Sequence, residues 1–139
     1  MESYRPRVIL SAAISLDGKL ATRTGDSKLS SQRDKIRVHK LRSKVDAILV
    51  GKNTLEIDDP LLTVRGVKGK NPVRVILDSR ATIHKNSKIL RSCSKIPTII
   101  VVSKMAKKKN LEKLKKFPVM IKVCGNNKVN IKNLLKFLK

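Results

Sequence analysis

Residues 46–60 read "DAILVGKNTLEIDDP". The apolar run 46–51, closed by Gly51, has the length and composition of a buried strand. Just behind it, Thr54 offers a hydroxyl that can cap a short helical turn. Pro60 then blocks further helix and biases Asp59 toward an extended conformation. A buried strand that runs straight into a helical turn is the repeating element of a parallel α/β sheet.

The same grammar extends in both directions. "RVILSAAIS" (7–15), bounded by Pro6 and by Asp17-Gly18, predicts a buried strand. Ser31 with Asp34 forms a capping box, and Val38, Leu41 and Val45 follow at helical spacing. A helix over about 32–44 is expected, with Arg33, Lys35, Arg37 and Lys40 on its outer face. "VRVILD" (73–78), "TIIVVS" (98–103) and "VMIKV" (119–123) predict three further strands. A helix over 106–116 would turn Leu111 and Leu114 inward. Asn130 can cap a last helix that carries Ile131, Leu134, Leu135 and Leu138 as an apolar stripe. That stripe could face the sheet, a membrane surface or a partner. With no internal repeat, the pattern predicts a single α/β domain over 1–139, a mostly parallel sheet flanked by helices.

Composition limits the function classes. The chain has 139 residues, 40% of them apolar, which is enough for a globular core. Aromatics are confined to Tyr4, Phe117 and Phe137, so Val, Ile, Leu and Ala must fill that core. Lys and Arg number 33 against 10 acidic residues, a formal charge of +23 that points to polyanion contact or to a Lys-rich solvated surface. Nucleic-acid binding is disfavoured, because single-strand binders stack bases on aromatic rings and the cations are spread along the chain apart from Lys107-Lys108-Lys109. Cys93 and Cys124 show no metal-ligand spacing, so no metal is expected and the thiols fit a reducing cytoplasm. No signal peptide and no membrane-length apolar run is present.

Ligands of open α/β sheets bind at the C-terminal ends of strands. Here those ends read "SLDGKLA" (15–21), "GKNT" (51–54) and "DSRAT" (78–82). GxGxxG, the P-loop and the GxSxG elbow are all absent. His39 on the first helix and His84 in a polar loop read as surface residues. Glu56, Asp58 and Asp59 crowd before Pro60 in a chain poor in carboxylates. They are either a cap and stop for the turn or a binding feature.

"SLDGKLA", "GDSKLSS", "VHKLR", "GKNTLEIDDPLLTVR" and "NPVRVILDS" occur in that order from residue 6 to 83. Together they resemble the pyrimidine reductases of riboflavin biosynthesis, both the archaeal and fungal stand-alone enzymes and the reductase half of the bacterial deaminase–reductase. The later part, including "KVNIKNLLKFLK", resembles them more loosely. The resemblance implies a fold similar to dihydrofolate reductase. It also implies an oxidoreductase that uses NADPH to reduce a ribosylamino-pyrimidine 5′-phosphate to its ribitylamino form. The sugar opens to an imine, and C1′ accepts the hydride.

By position, the resemblance assigns Thr54 and Asp58 to the cofactor, with Ala13 and Leu29 lining it. Ser79 makes a further cofactor contact, continued by Arg80, Ala81, Thr82 and Ile83. Ser27, Arg42, Leu62 and Arg65 match substrate contacts. Of these, Arg42 and Arg65 suit the phosphate, because a guanidinium donates two parallel hydrogen bonds. Asp17 and Lys19 are the candidates near the chemistry. Asp17 would fix a turn in which Gly18 supplies positive φ, and Lys19 would approach the substrate or supply a proton. The family carries a later Glu-Gly-Gly loop for the pyrophosphate, which would fall beyond Lys139. This chain is therefore expected to be the N-terminal portion of the family domain, its sheet incomplete at the C-terminal end, paired as a homodimer or with a complementing chain. The competing readings are a truncated, inactive fragment and a basic polyanion-binding protein.

Overall fold

The computed structural model describes residues 6–26 and 28–138. It contains two compact units. Among the described residues, one comprises Pro6, Asp46–Leu62 and 72–138, and the other comprises 7–45 and Thr63–Asn71.

The first unit is a parallel sheet. Its strands are β1 (Ala47–Gly51), β2 (Val73–Leu77), β3 (Thr98–Val102) and β4 (Met120–Val123), in the order β1-β2-β3-β4. Val75 stands opposite Leu49 on one side and Ile99 on the other. Each crossover carries a helix: α2 (Lys52–Asp58), α3 (Lys88–Arg91) and α4 (Lys108–Leu114). Because side chains alternate along a strand, the sheet has two separate cores. Ile76, Ile100 and Val102 pack with Leu55, Ile89, Leu90 and Leu114 from the crossover helices. Val75, Val101 and Cys124 pack on the opposite face with Leu134 of α5 (Ile131–Phe137). Of the expected stripe, Leu134 and Leu138 lie on the sheet, joined by Phe137, while Leu135 is not in that core. Leu134 is fully buried there, worth about 2 kcal/mol. Asn130 caps that helix by accepting from the Asn133 N–H at 3.0 Å. Ile131 leaves the stripe and is 45% exposed.

The second unit contains α1 (Gln32–Arg42). Ser31 accepts from the Asp34 N–H at 3.2 Å, the cap expected from the sequence. No residue of α1 is fully buried.

Four expectations are corrected. Residues 7–15 form no strand, and Val8, Leu10 and Ile14 are 68%, 94% and 61% exposed. A strand exists only through pairing of its N–H and C=O groups with a neighbour. Among the described residues the four strands pair only with one another. Thr54 lies inside α2, whose N-cap is Gly51 without a side-chain bond. Asp59 is not extended but left-handed, at φ 37° and ψ 55°. There its N–H caps α2 on Leu55 O, and its carboxylate accepts from the Lys88 N–H at 2.8 Å. The C-cap geometry, which Asp tolerates, overrides the bias from Pro60. His39 is half-buried and bonded rather than a surface residue.

Candidate functional site

Parallel strands end together, so the loops after β1 and β2 share one edge of the sheet. A cleft of about 400 Å³ opens there, lined by Lys52 and Asn53 from α2 and by Asp78, Ser79, Arg80 and Thr82 from the loop after β2. Asp78 ends β2 and is buried. Its carboxylate accepts from the Thr82 and Ile83 N–H groups, both at 2.6 Å, and folds the loop back on itself. Ala81 takes a left-handed φ of 56° at the bend. Lys52 Nζ spans the cleft, 3.0 Å from Thr82 Oγ1 and 2.9 Å from Glu56 Oε1.

The loop is also tied from behind. Ser79 O accepts from the Ser103 hydroxyl at 2.8 Å, and Ser79 Oγ accepts from the Val129 N–H at 3.0 Å. Asn110 donates to Arg80 O at 3.1 Å. A loop tied at these points that presents Arg80 suits a phosphorylated ligand better than a mobile one, because less ordering is left to binding.

The second unit holds a cluster of cations. His39 and Arg42 on α1 both reach the segment carrying Arg65. Arg42 Nη1 donates to Thr63 O at 3.2 Å, while its Nε is buried and has no partner among the described residues. No carboxylate among the described residues forms an ion pair with Arg42 or Arg65. Burial first, then the neighbouring Arg65, holds Arg42 below the ordinary guanidinium value. Burial, then Arg42 and Arg65, holds His39 below its ordinary value of 6.5. Concentrated positive charge with an unused buried donor is an arrangement that an anion relieves.

The structure sorts the candidates drawn from the sequence. Thr54 and Asp58 stand one turn apart on exposed positions of α2. Ser79, Arg80 and Thr82 line the cleft. Ala81 and Ile83 are 5% and 8% exposed, and their N–H groups donate to Asp78. Leu62 is 3% exposed in the first unit's core. Arg42 and Arg65 come together in the second unit. Ala13 and Leu29 also lie in the second unit, Leu29 38% exposed. Ser27 falls outside the described residues. Asp17 accepts from the Ser15 hydroxyl in a turn where Gly18 has φ 78°, and Lys19 is exposed beside it. Sequence reasoning placed Lys52, Asn53 and Asp78 only within the strand-end segments and gave them no role of their own, and it read His39 as a surface residue. The available signal for Asp78 was an Asp at a strand end followed by a short polar loop, since an Asp side chain there can hold the following backbone N–H groups.

The chain is 44% identical over 137 residues to the 2,5-diamino-6-ribosylamino-4(3H)-pyrimidinone 5′-phosphate reductase of Methanothermobacter thermautotrophicus, covering 96% of this chain and 62% of that protein. It is 40% identical over 136 residues to the Aquifex aeolicus protein of the same name, covering 94% of this chain and 60% of that one. It therefore spans about three fifths of the length of these curated relatives. A crystal structure of a Thermotoga maritima diaminohydroxyphosphoribosylaminopyrimidine deaminase/5-amino-6-(5-phosphoribosylamino)uracil reductase matches with a TM-score of 0.76 at 31% identity, over 96% of this chain and 36% of that one. Acinetobacter baumannii RibD matches with a TM-score of 0.69 at 27% identity, over 91% of this chain and 34% of that one. The parallel sheet and these neighbours bear out the dihydrofolate-reductase-like α/β class expected from the sequence. Residues 6–139 match the model described as the RibD C-terminal domain, and the chain belongs to that family.

Proposed function

We propose that the chain is the NADPH-binding and substrate-phosphate-binding part of a riboflavin-pathway pyrimidine reductase. It would act on a ribosylamino-pyrimidine 5′-phosphate, as its relatives' names state for them. The observation that carries this reading is the Arg42–Arg65 pair, unbalanced by any carboxylate ion pair among the described residues.

The residues present suit such a cofactor. The cleft offers Lys52 and Arg80 as cations for a ribose phosphate. Thr54 and Asp58 offer polar groups on α2 for hydroxyls. When bound, the reduced nicotinamide supplies hydride for C1′ of the ring-opened sugar. Asp78 keeps the loop 79–83 in one shape for the ligand. Arg42 and Arg65 would hold the 5′-phosphate and so fix the position of C1′, since positioning is the protein's main contribution to hydride transfer. Lys19, exposed beside the tight turn at Gly18, is our candidate for supplying the proton.

The test is NADPH oxidation by the purified chain with the phosphorylated pyrimidine as substrate. Arg65→Ala should raise KM by about 10- to 100-fold, the loss of a charge-assisted pair of hydrogen bonds. kcat should change much less, because the phosphate is held alike in ground and transition states. The dephosphorylated substrate should react equally poorly with both proteins. An unchanged KM in Arg65→Ala, or equal reaction of the phosphorylated and dephosphorylated substrates, would overturn the proposal.

A further inference from the structure

His39 Nδ1 lies 3.1 Å from Thr63 O and 3.1 Å from the Arg65 N–H. One ring nitrogen cannot serve both. It donates to the carbonyl only when protonated, and it accepts from the amide only when bare. In the neutral ring the tautomer decides which backbone group His39 holds, whereas in the imidazolium both nitrogens carry protons and only Thr63 O can be served. Both groups belong to the segment that presents Arg65. Thr63 O has a second donor, Arg42 Nη1, at 3.2 Å.

We propose that His39 couples anion binding at the Arg42–Arg65 cluster to the uptake of a proton. This rests on the phosphate reading above and adds a member and a proton to it. In the free protein the charged groups facing His39 are Arg42 on its own helix and Arg65 from the 63–71 segment. Both are cations, and together with burial they favour the neutral ring. As the Nε2–H tautomer, the neutral ring accepts from the Arg65 N–H at Nδ1.

A dianion seated between the guanidinium groups reverses the local field. The ring then takes a proton from solvent, and its Nδ1–H donates to Thr63 O. Two donors are freed by that exchange. The Arg65 N–H loses its acceptor and can turn to the anion. Arg42 Nη1 is no longer needed at Thr63 O and can join Nε, already buried without a partner among the described residues. Protonation thus converts two internal hydrogen bonds into two ligand contacts.

The sign follows from linkage. Binding that takes up a proton tightens as pH falls, by up to about tenfold per pH unit between the free and bound titration ranges. The ordinary value of 6.5 is lowered in the free protein. The effect should therefore appear as pH drops through the range near and below neutrality.

Sulfate is the probe, because it stays a dianion and contributes no proton of its own. Calorimetric titration of the full chain in two buffers of different ionisation enthalpy reads proton uptake directly. The expected result is saturable binding with uptake approaching one proton and an affinity that rises toward acid pH. His39→Asn places an amide where Nδ1 stood but cannot titrate. It should still bind sulfate, with no uptake and a flat pH profile. If the variant does not fold, imidazole NMR of the native chain replaces it, since only His39 and His84 must be told apart. The His39 titration should then move upward when sulfate is added.

Sulfate binding without uptake, uptake that persists in His39→Asn, or a His39 titration unmoved by sulfate would overturn the coupling and leave the phosphate reading intact. Failure to bind sulfate, or equal binding by Arg65→Ala, would overturn both.

Discussion

Replacing Arg74 by Met is expected to destabilise the protein by about 3–5 kcal/mol. Arg74 sits on β2 with no exposed surface, inside a parallel sheet. Its guanidinium meets neutral acceptors from three separate segments. Nη1 donates to Leu61 O at 3.3 Å and to Ser92 Oγ at 2.8 Å. Nη2 donates to Ile89 O at 3.0 Å, Ile96 O at 3.3 Å and Thr98 Oγ1 at 2.8 Å, and Nε reaches the same Thr98 hydroxyl at 3.1 Å. Burial lowers its proton affinity, yet a guanidinium begins so high that it stays charged. Removing a buried ion together with its partner can be nearly neutral, because both desolvation costs vanish. Here the partners include backbone carbonyls, which no substitution at position 74 removes. Met would fill the space and leave those carbonyls short of donors. Arg74→Lys should recover less than half of the loss, since one ammonium cannot span acceptors that lie around a planar fork. Urea denaturation of the three proteins measures this, and a loss under about 1 kcal/mol for Met would contradict it.

Asp78→Ala should weaken cofactor binding by about 10- to 100-fold while leaving the sheet folded. The carboxylate accepts from two consecutive backbone N–H groups at 2.6 Å, and such charge-assisted bonds are each worth about 1.5–3 kcal/mol. They close the loop that carries Ser79, Arg80 and Thr82 along the cleft. Without them Ala81 has no reason to keep its left-handed φ of 56°, a conformation that costs an alanine about 1 kcal/mol. The loop then opens, and binding must pay to order it again. The back ties at Ser79 survive, because Ser103 and Val129 do not depend on Asp78. NADPH titration of the variant, with its Tm as a control for folding, reads the effect. An unchanged affinity would mean that the loop shape is set elsewhere.

The strands 46–51, 73–78, 98–103 and 119–123 were legible in the sequence as apolar runs, fully so for the buried β2 and β3 and even for β1 and β4, which hold no buried residue. The structure places β1 to β4 within those runs. The first helix was legible through its cap, where Ser31 and Asp34 act on each other within one turn. What failed was whatever depends on distant chain. Residues 7–15 are as apolar as β3, but a strand also needs a partner, and composition does not name one. Asp59 obeyed the cap of α2 and a contact to Lys88, 29 residues away, instead of the proline next to it. The short α3, capped by Ser87, carries too few turns to show a period.

The candidate site divides along the same line. Two of the three expected strand-end loops, "GKNT" and "DSRAT", were legible because chemistry gathers where parallel strands stop, while "SLDGKLA" follows no strand. The roles of Asp78 and Lys52 were not, since each acts through loop geometry that sequence does not display. His39 read as a surface residue because its bonded partners, Thr63 and Arg65, lie 24 and 26 residues away. Arg74 hid inside "VRVILD", where a single charge in an apolar run gives no hint of the acceptors waiting for it.

The measurement that bears most directly on the central claim is titration of the purified chain with NADPH, followed by cofactor fluorescence at low and high salt. A cofactor site on this chain that joins the cleft to Asp58, as proposed above, predicts saturable binding that persists at high salt and is lost in Asp58→Ala. A protein of charge +23 that merely attracts polyanions would bind weakly, release the cofactor as salt rises, and ignore Asp58. That second outcome, or no binding at all, would contradict the assignment of the cofactor to this chain.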